Sequence, residues 1–174
     1  VVPHLPATRV PSPNLGEGNN EEYFLIISRI VGTKNIELAV QAANKYGFKL
    51  KIAGKPIGIG GEEIVKNIKG KTVEYLGEVD DTTKYKLLAE AKAFLALERQ
   101  PDFGMTTVEP MVFGTPVIAY RGGGYLEIVE ENINGIFFDD LSNDGLGNAV
   151  KKFNKLKWDK NKIRKSAEKF SEDN

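Results

Sequence analysis

Six short apolar runs constrain this chain more than any other feature: Tyr23 to Ser28, Phe48 to Ala53, Val73 to Leu76, Ala93 to Leu97, Pro116 to Ala119 and Ile136 to Phe138. A strand with one wet face alternates apolar and polar residues, whereas these runs are nearly continuous, as strands buried on both faces are. Between them lie stretches with apolar residues at helical spacing. That alternation predicts an α/β fold, a Rossmann-like doubly wound parallel sheet of about six strands with right-handed crossovers. At 174 residues the chain holds one such domain and not two.

Residues 1 to 22 carry four prolines and two glycines with no periodic apolar pattern, and read as a linker preceding a domain over residues 23 to 174. The first helix follows the first strand. Thr33 or Asn35 can cap it, Ile36, Ala39, Val40 and Ala43 repeat at helical spacing, and Gly47 ends it. In an open doubly wound sheet, ligands bind beyond the carboxyl ends of the strands. Arg29, Lys34, the Gly54 loop, Glu109 and Gly123 all follow strands, so they are expected to converge on one crevice.

The stretch from Asp102 to Ala119 compresses a loop, a short helix and a buried strand. Phe103-Gly104 ends the loop, Thr106 or Thr107 can cap the helix, and Gly114 stops it before Pro116 opens the strand. Glu109 then falls on the early turns of that helix. A carboxylate there is placed to accept hydrogen bonds from a ligand, and the nearby backbone amides favour an anion such as phosphate.

This pattern, Phe-Gly, then Glu five residues after the Gly, then Met and Gly-Thr-Pro-Val-Ile-Ala, resembles the signature of retaining glycosyltransferases of the GT-B fold (group 1, family 4). Tyr23 to Ile30 followed by Lys34-Asn35, together with Leu50 to Gly54, Tyr75-Leu76-Gly77 and Asn134-Gly135-Ile136, extends the resemblance over roughly residues 22 to 157. It implies the C-terminal, donor-binding half of such an enzyme, with the N-terminal acceptor-binding domain missing. Arg29 and Lys34 match the pair that holds the donor diphosphate, where cations stabilise charge growing on the leaving phosphate. Taken alone, they read first as solvated surface cations, and the family context reverses that preference. Glu109 matches the second glutamate of the family's E-x7-E motif, implied to bind the donor ribose. The first glutamate would stand at Pro101. Either Asp102 shifts into its place, which is the preferred reading, or Glu98 reaches in, or the function is altered.

The backbone of Phe103, Gly104, Met105 and Thr106 is the expected phosphate or sugar cradle, with Met105 and Thr106 supplying amides. Gly54 and Lys55 open a glycine-rich segment to Gly61 that is either a donor contact or a plain turn, and Gly122-Gly123-Gly124 is expected to let backbone approach a ligand. The acidic residue directly before Phe103 is similar to that of mannosyltransferases of polysaccharide and lipopolysaccharide assembly. The resemblance therefore implies metal-independent transfer of a hexose from a nucleotide-sugar, GDP-mannose first and a UDP-sugar second, to a glycan or lipid-linked acceptor. The rivals are a non-catalytic nucleotide-sugar-binding domain and a sugar-nucleotide epimerase-like enzyme, the second lacking the acids and histidine it would need.

Other chemistries find little support. Basic and acidic residues balance at 24 each, which argues against a nucleic-acid surface. His4 is the sole histidine and lies in the expected linker, and there is no cysteine, so neither a histidine base nor a zinc site is in view. Asp80-Asp81 and Asp139-Asp140 read as turn or cap residues, and no Asp-x-Asp suggests a metal site. No apolar run approaches a membrane span. A cytoplasmic location is expected, with the basic segment from Lys151 to Lys169 either a solvated cover for the core or a peripheral contact with anionic lipid at the cytoplasmic face.

Overall fold

The computed structural model describes residues 22–101 and 105–170. Six strands form its centre: β1 Phe24–Ile27, β2 Leu50–Ala53, β3 Val73–Gly77, β4 Ala93–Ala96, β5 Val117–Tyr120 and β6 Gly135–Phe138. All pairings are parallel, in the order β3-β2-β1-β4-β5-β6. The register is set at β1, where Phe24 lies opposite Leu50 on one side and Ala93 on the other. Each strand falls within a residue or two of its apolar run, and the expected Rossmann-like architecture is the one observed.

Alternation along the strands divides the core. Phe24 and Ile26 face a layer built on α1 (Ile36–Tyr46), α2 (Gly58–Lys66) and α6 (Asn143–Asn154). Leu25 faces the opposite layer, built on α3 (Asp81–Glu90), α4 (Val108–Val112), α5 (Tyr125–Ile128) and α7 (Lys160–Ala167). Leu25, Leu50, Ile52, Ile118 and Ile136 are fully buried. Burying each such side chain contributes roughly 1.5–3 kcal/mol, which is why the strands need helices on both faces.

Helix ends follow local chemistry with two exceptions to expectation. Asp80, Ser142 and Asp159 cap α3, α6 and α7 through their side-chain oxygens. The Asp80 carboxyl is held below its ordinary pKa, chiefly by the Thr83 bonds it accepts. At α1 no side chain caps the helix: Thr33 lies in a 3-10 turn over Gly32–Lys34, and Asn35 turns elsewhere. Neither does a threonine cap α4, because Met105–Thr107 forms a 3-10 turn that runs straight into the helix. Of the expected linker, only Glu22 is among the described residues, and its carboxylate meets Lys92 at 3.1 Å.

Candidate functional site

The switch point of this sheet lies between β1 and β4, neighbours whose connections leave in opposite directions. After β1 the chain reaches Arg29, whose side chain is exposed and carries no ion pair among the described residues. It then enters the 3-10 turn and reaches Asn35, which sits in the left-handed region at φ 56°. That conformation frees the Asn35 amide to donate to the Leu97 carbonyl at 2.7 Å, fastening the loop after β1 to the end of β4. The same fastening brings Lys34 to Glu98, Nζ to Oε1 at 2.7 Å, with each side chain about one-fifth exposed (21% and 23%).

Glu98 is itself held. Its backbone N–H donates to the Tyr125 hydroxyl at 3.4 Å, and Tyr125 is buried, which pushes its phenol pKa up. So of the two acids the sequence offers near Pro101, Glu98 stands within the described structure against the lysine at the switch point. Asp102, Phe103 and Gly104 lie outside the described residues.

Pro101 is buried, and a reason for the glycine run becomes visible. Gly124 N–H donates to the Pro101 carbonyl at 3.3 Å, and a Cβ on Gly123, at φ 51°, would stand 2.8 Å from that same oxygen. The glycines thus admit the 99–101 backbone, a packing role beside the ligand approach expected of them. Gly54 has a comparable cause: at φ 150° a Cβ there would overlap the Ser28 carbonyl oxygen. The Tyr75 hydroxyl donates to the Gly54 carbonyl at 2.7 Å, pinning this corner from β3. Lys55 is exposed beside it, and its carbonyl accepts from Ile30 N–H at 2.9 Å. The remainder of the glycine-rich segment is no loose turn, since Gly58 to Gly61 already form the first turn of α2.

Glu109 lies in the first turn of α4, as expected. The helix has five residues, so its dipole adds little for an anion, and the carboxylate is engaged instead by Lys84 of α3, at 3.0 Å to Oε1 and 2.9 Å to Oε2. Met105 and Thr106 lie in the preceding 3-10 turn, with Thr106 exposed. Lys84, Tyr75 and Tyr125 were not legible as site residues, because each acts through a contact far away in sequence. The aspartate pairs take ordinary roles, Asp80 as a cap and Asp139 as the partner of Arg121 at 2.8 Å.

Residues 11–170 match the family model described as Glycosyl transferases group 1. The chain belongs to this family. Among group 1 relatives, it is 30% identical over 161 residues to a probable sucrose-phosphate synthase of Thermosipho melanesiensis, covering 86% of this chain and 35% of that protein. It is 28% identical over 148 residues to an alpha-1,3/1,6-mannosyltransferase of Kluyveromyces lactis, covering 64% of this chain and 29% of that protein. Among solved structures, HepE of Anabaena in complex with UDP superposes with a TM-score of 0.68 at 22% identity, over 86% of this chain and 43% of HepE. This group 1 domain therefore spans only 37% and 35% of the length of the first curated relatives it matches. Its fold is that of the Rossmann-like half of a GT-B glycosyltransferase.

Proposed function

We propose that this chain is the nucleotide-sugar-binding part of a retaining, metal-independent glycosyltransferase. One observation carries the reading: Arg29, Lys34, Glu98 and Glu109 all stand beyond the carboxyl ends of strands, and the Lys34–Glu98 pair occupies the switch point where such sheets bind nucleotides. The group 1 family supports it.

In this reading Arg29 and Lys34 receive the donor diphosphate. As the glycosidic bond breaks, negative charge collects on the leaving phosphate, and the two cations stabilise it where it develops. Lys34 is already partnered, so an arriving phosphate competes with or shares the Glu98 carboxylate. Gly54, Lys55, Phe103, Gly104, Met105 and Thr106 complete the donor cradle, and Glu109 accepts from the ribose hydroxyls. For the acid facing the sugar, the Lys34 contact favours Glu98 as a second reading beside Asp102.

The transferred group is a hexose, with mannose as the specific proposal, and the mannosyltransferase of Kluyveromyces lactis is the relative that supports it. For the base, the UDP bound by HepE and the ADP bound by a starch synthase from Arabidopsis thaliana favour testing uracil and adenine ahead of guanine. A glycan or lipid-linked acceptor, an N-terminal acceptor-binding domain joined through residues 1 to 22, and a cytoplasmic site of action belong to the same proposal. No helix among the described residues is long and apolar enough to cross a membrane.

The test is calorimetric titration with UDP, ADP and GDP, repeated on the Arg29→Ala, Lys34→Ala double variant. Selective binding of one diphosphate, weakened about a hundredfold in the variant, is the expected result, since each charge-assisted contact contributes roughly 1.5–3 kcal/mol. Equal binding by both proteins would remove the two cations from the site.

A further inference from the structure

We propose that Lys84 is the positioning residue for Glu109, holding its carboxylate oriented so that it accepts two neighbouring hydroxyls of one ligand. The inference deepens the donor-site reading above and rests on it. The Lys84 ammonium spans both oxygens of the carboxylate, at 3.0 and 2.9 Å, in a niche where the two side chains are 28% and 27% exposed. An ionised carboxylate offers about four acceptor directions on its two oxygens. A cation shared between both oxygens takes one direction on each and leaves one on each, a pair matched to a vicinal diol.

The ammonium is not a wandering surface charge. Lys84 sits in the first turn of α3, where its N–H donates to Asp80 at 2.9 Å and the Asp80 side chain fixes the helix start. Farther along α3, the Tyr85 ring stacks on Phe113 with centroids 5.5 Å apart, and the Leu88 carbonyl accepts from the Thr115 hydroxyl. These contacts lock α3 to the segment that follows Glu109, so acid and base are held by a common frame. Without the lysine, Glu109 would keep a free torsion in the plane of its carboxylate and would add an unbalanced negative charge beside the phosphates of the donor. With it, the pair is neutral and the acceptor directions are fixed.

The proposal predicts a signature in ribose selectivity more than in stability. With whichever of UDP, ADP and GDP the chain binds, affinity is measured for that nucleotide and its 2′-deoxy analogue, in the unaltered chain and in the Glu109→Gln, Lys84→Met and Lys84→Arg variants, with thermal midpoints recorded for each. The unaltered chain is expected to prefer the ribonucleotide by about tenfold, Glu109→Gln and Lys84→Met to lose most of that preference, and Lys84→Arg to regain it. A Lys84→Met variant that weakens both nucleotides equally, or leaves the preference intact while Glu109→Gln abolishes it, overturns the role of Lys84 and leaves the donor site standing. Failure of the unaltered chain to bind any of the three diphosphates overturns the donor-site reading, and this inference with it.

Discussion

The two edges of this one sheet are built differently. At the amino edge a cavity of about 280 Å³ opens between Phe24, Phe48, Tyr46, Lys92 and Lys151, and polar groups on and beside its rim are paired at the surface: Lys45 and Tyr46 on Asp144, Lys92 on Glu22. At the carboxyl edge the polar groups are joined across elements, Lys34 to Glu98, Asn35 to Leu97, Tyr75 to Gly54 and Lys84 to Glu109. The difference teaches that a hollow in the surface and a frame of polar groups joined across elements can lie at opposite ends of one sheet.

The largest expected break in that contrast is at Gly54. Gly54→Ala would force a side chain into the Ser28 carbonyl at φ 150°, a backbone obstacle that cannot swing aside. We expect a loss of roughly 3 kcal/mol or more in urea unfolding. Gly147→Ala at the amino edge also meets a neighbour, but that neighbour is the Tyr46 ring on a partly exposed side chain, so the cost should be clearly smaller. Equal losses would mean that the carboxyl edge is no more rigidly specified than the amino edge.

Next in size is the functional contrast. Lys92→Ala and Lys151→Ala, which change the charged rim of the amino-edge cavity, should leave nucleotide affinity within about twofold, because exposed charges across the domain are screened beyond a Debye length of roughly 10 Å. The Arg29→Ala, Lys34→Ala variant should lose about a hundredfold. Calorimetry on both sets reads the comparison directly, and a large loss from the amino-edge pair would move the site.

These contrasts also mark where the sequence could be read and where it could not. The strands were legible because burial on both faces writes itself as unbroken apolar runs, as in Leu50 to Ala53 and Val117 to Tyr120. Glu109 and Lys34 were legible as candidates by their places after strands. Their partners were less so: Lys84 looks like any lysine in a solvated first turn, and only the packing of Tyr85 on Phe113 reveals that α3 is held against the segment after Glu109. The glycines at 122–124 showed that backbone must come close to something, but not that the something is the chain at Pro101. Asn35 was read as a cap because asparagine so often is one, and the long-range bond to Leu97 outcompeted that local role.

A smaller effect tests how firmly Glu98 is seated. Tyr125→Phe removes the hydroxyl that accepts from the Glu98 N–H while keeping the ring in the core. The expected cost is about 1 kcal/mol of stability, read by denaturant unfolding, since the part-buried N–H loses its partner. If Glu98 also faces the sugar, nucleotide-sugar affinity should fall while affinity for the bare diphosphate holds.

The smallest effect belongs to the amino edge and depends on pH. Asp144 accepts from Lys45 at 2.6 Å and from the Tyr46 hydroxyl at 2.8 Å, and these bonds hold its carboxyl below the ordinary value, the Lys45 bond most. A group whose folded pKa is lowered contributes stability above its unfolded pKa and loses that contribution as pH falls through the folded one. Asp144→Asn should therefore lower the thermal midpoint slightly at neutral pH, and the gap from the unaltered chain should close as the solution is acidified below the ordinary carboxylate range. Because the charged pair, Lys45 and Asp144, is solvent-exposed, added salt should narrow the same gap at neutral pH. The Lys84–Glu109 pair, more than two-thirds shielded on both sides, should resist that screening: the Lys84→Met gap should persist in salt that erases the Asp144→Asn one. Two ion pairs of similar length would then differ in salt response because one lies on an open surface and the other in the frame between α3 and α4.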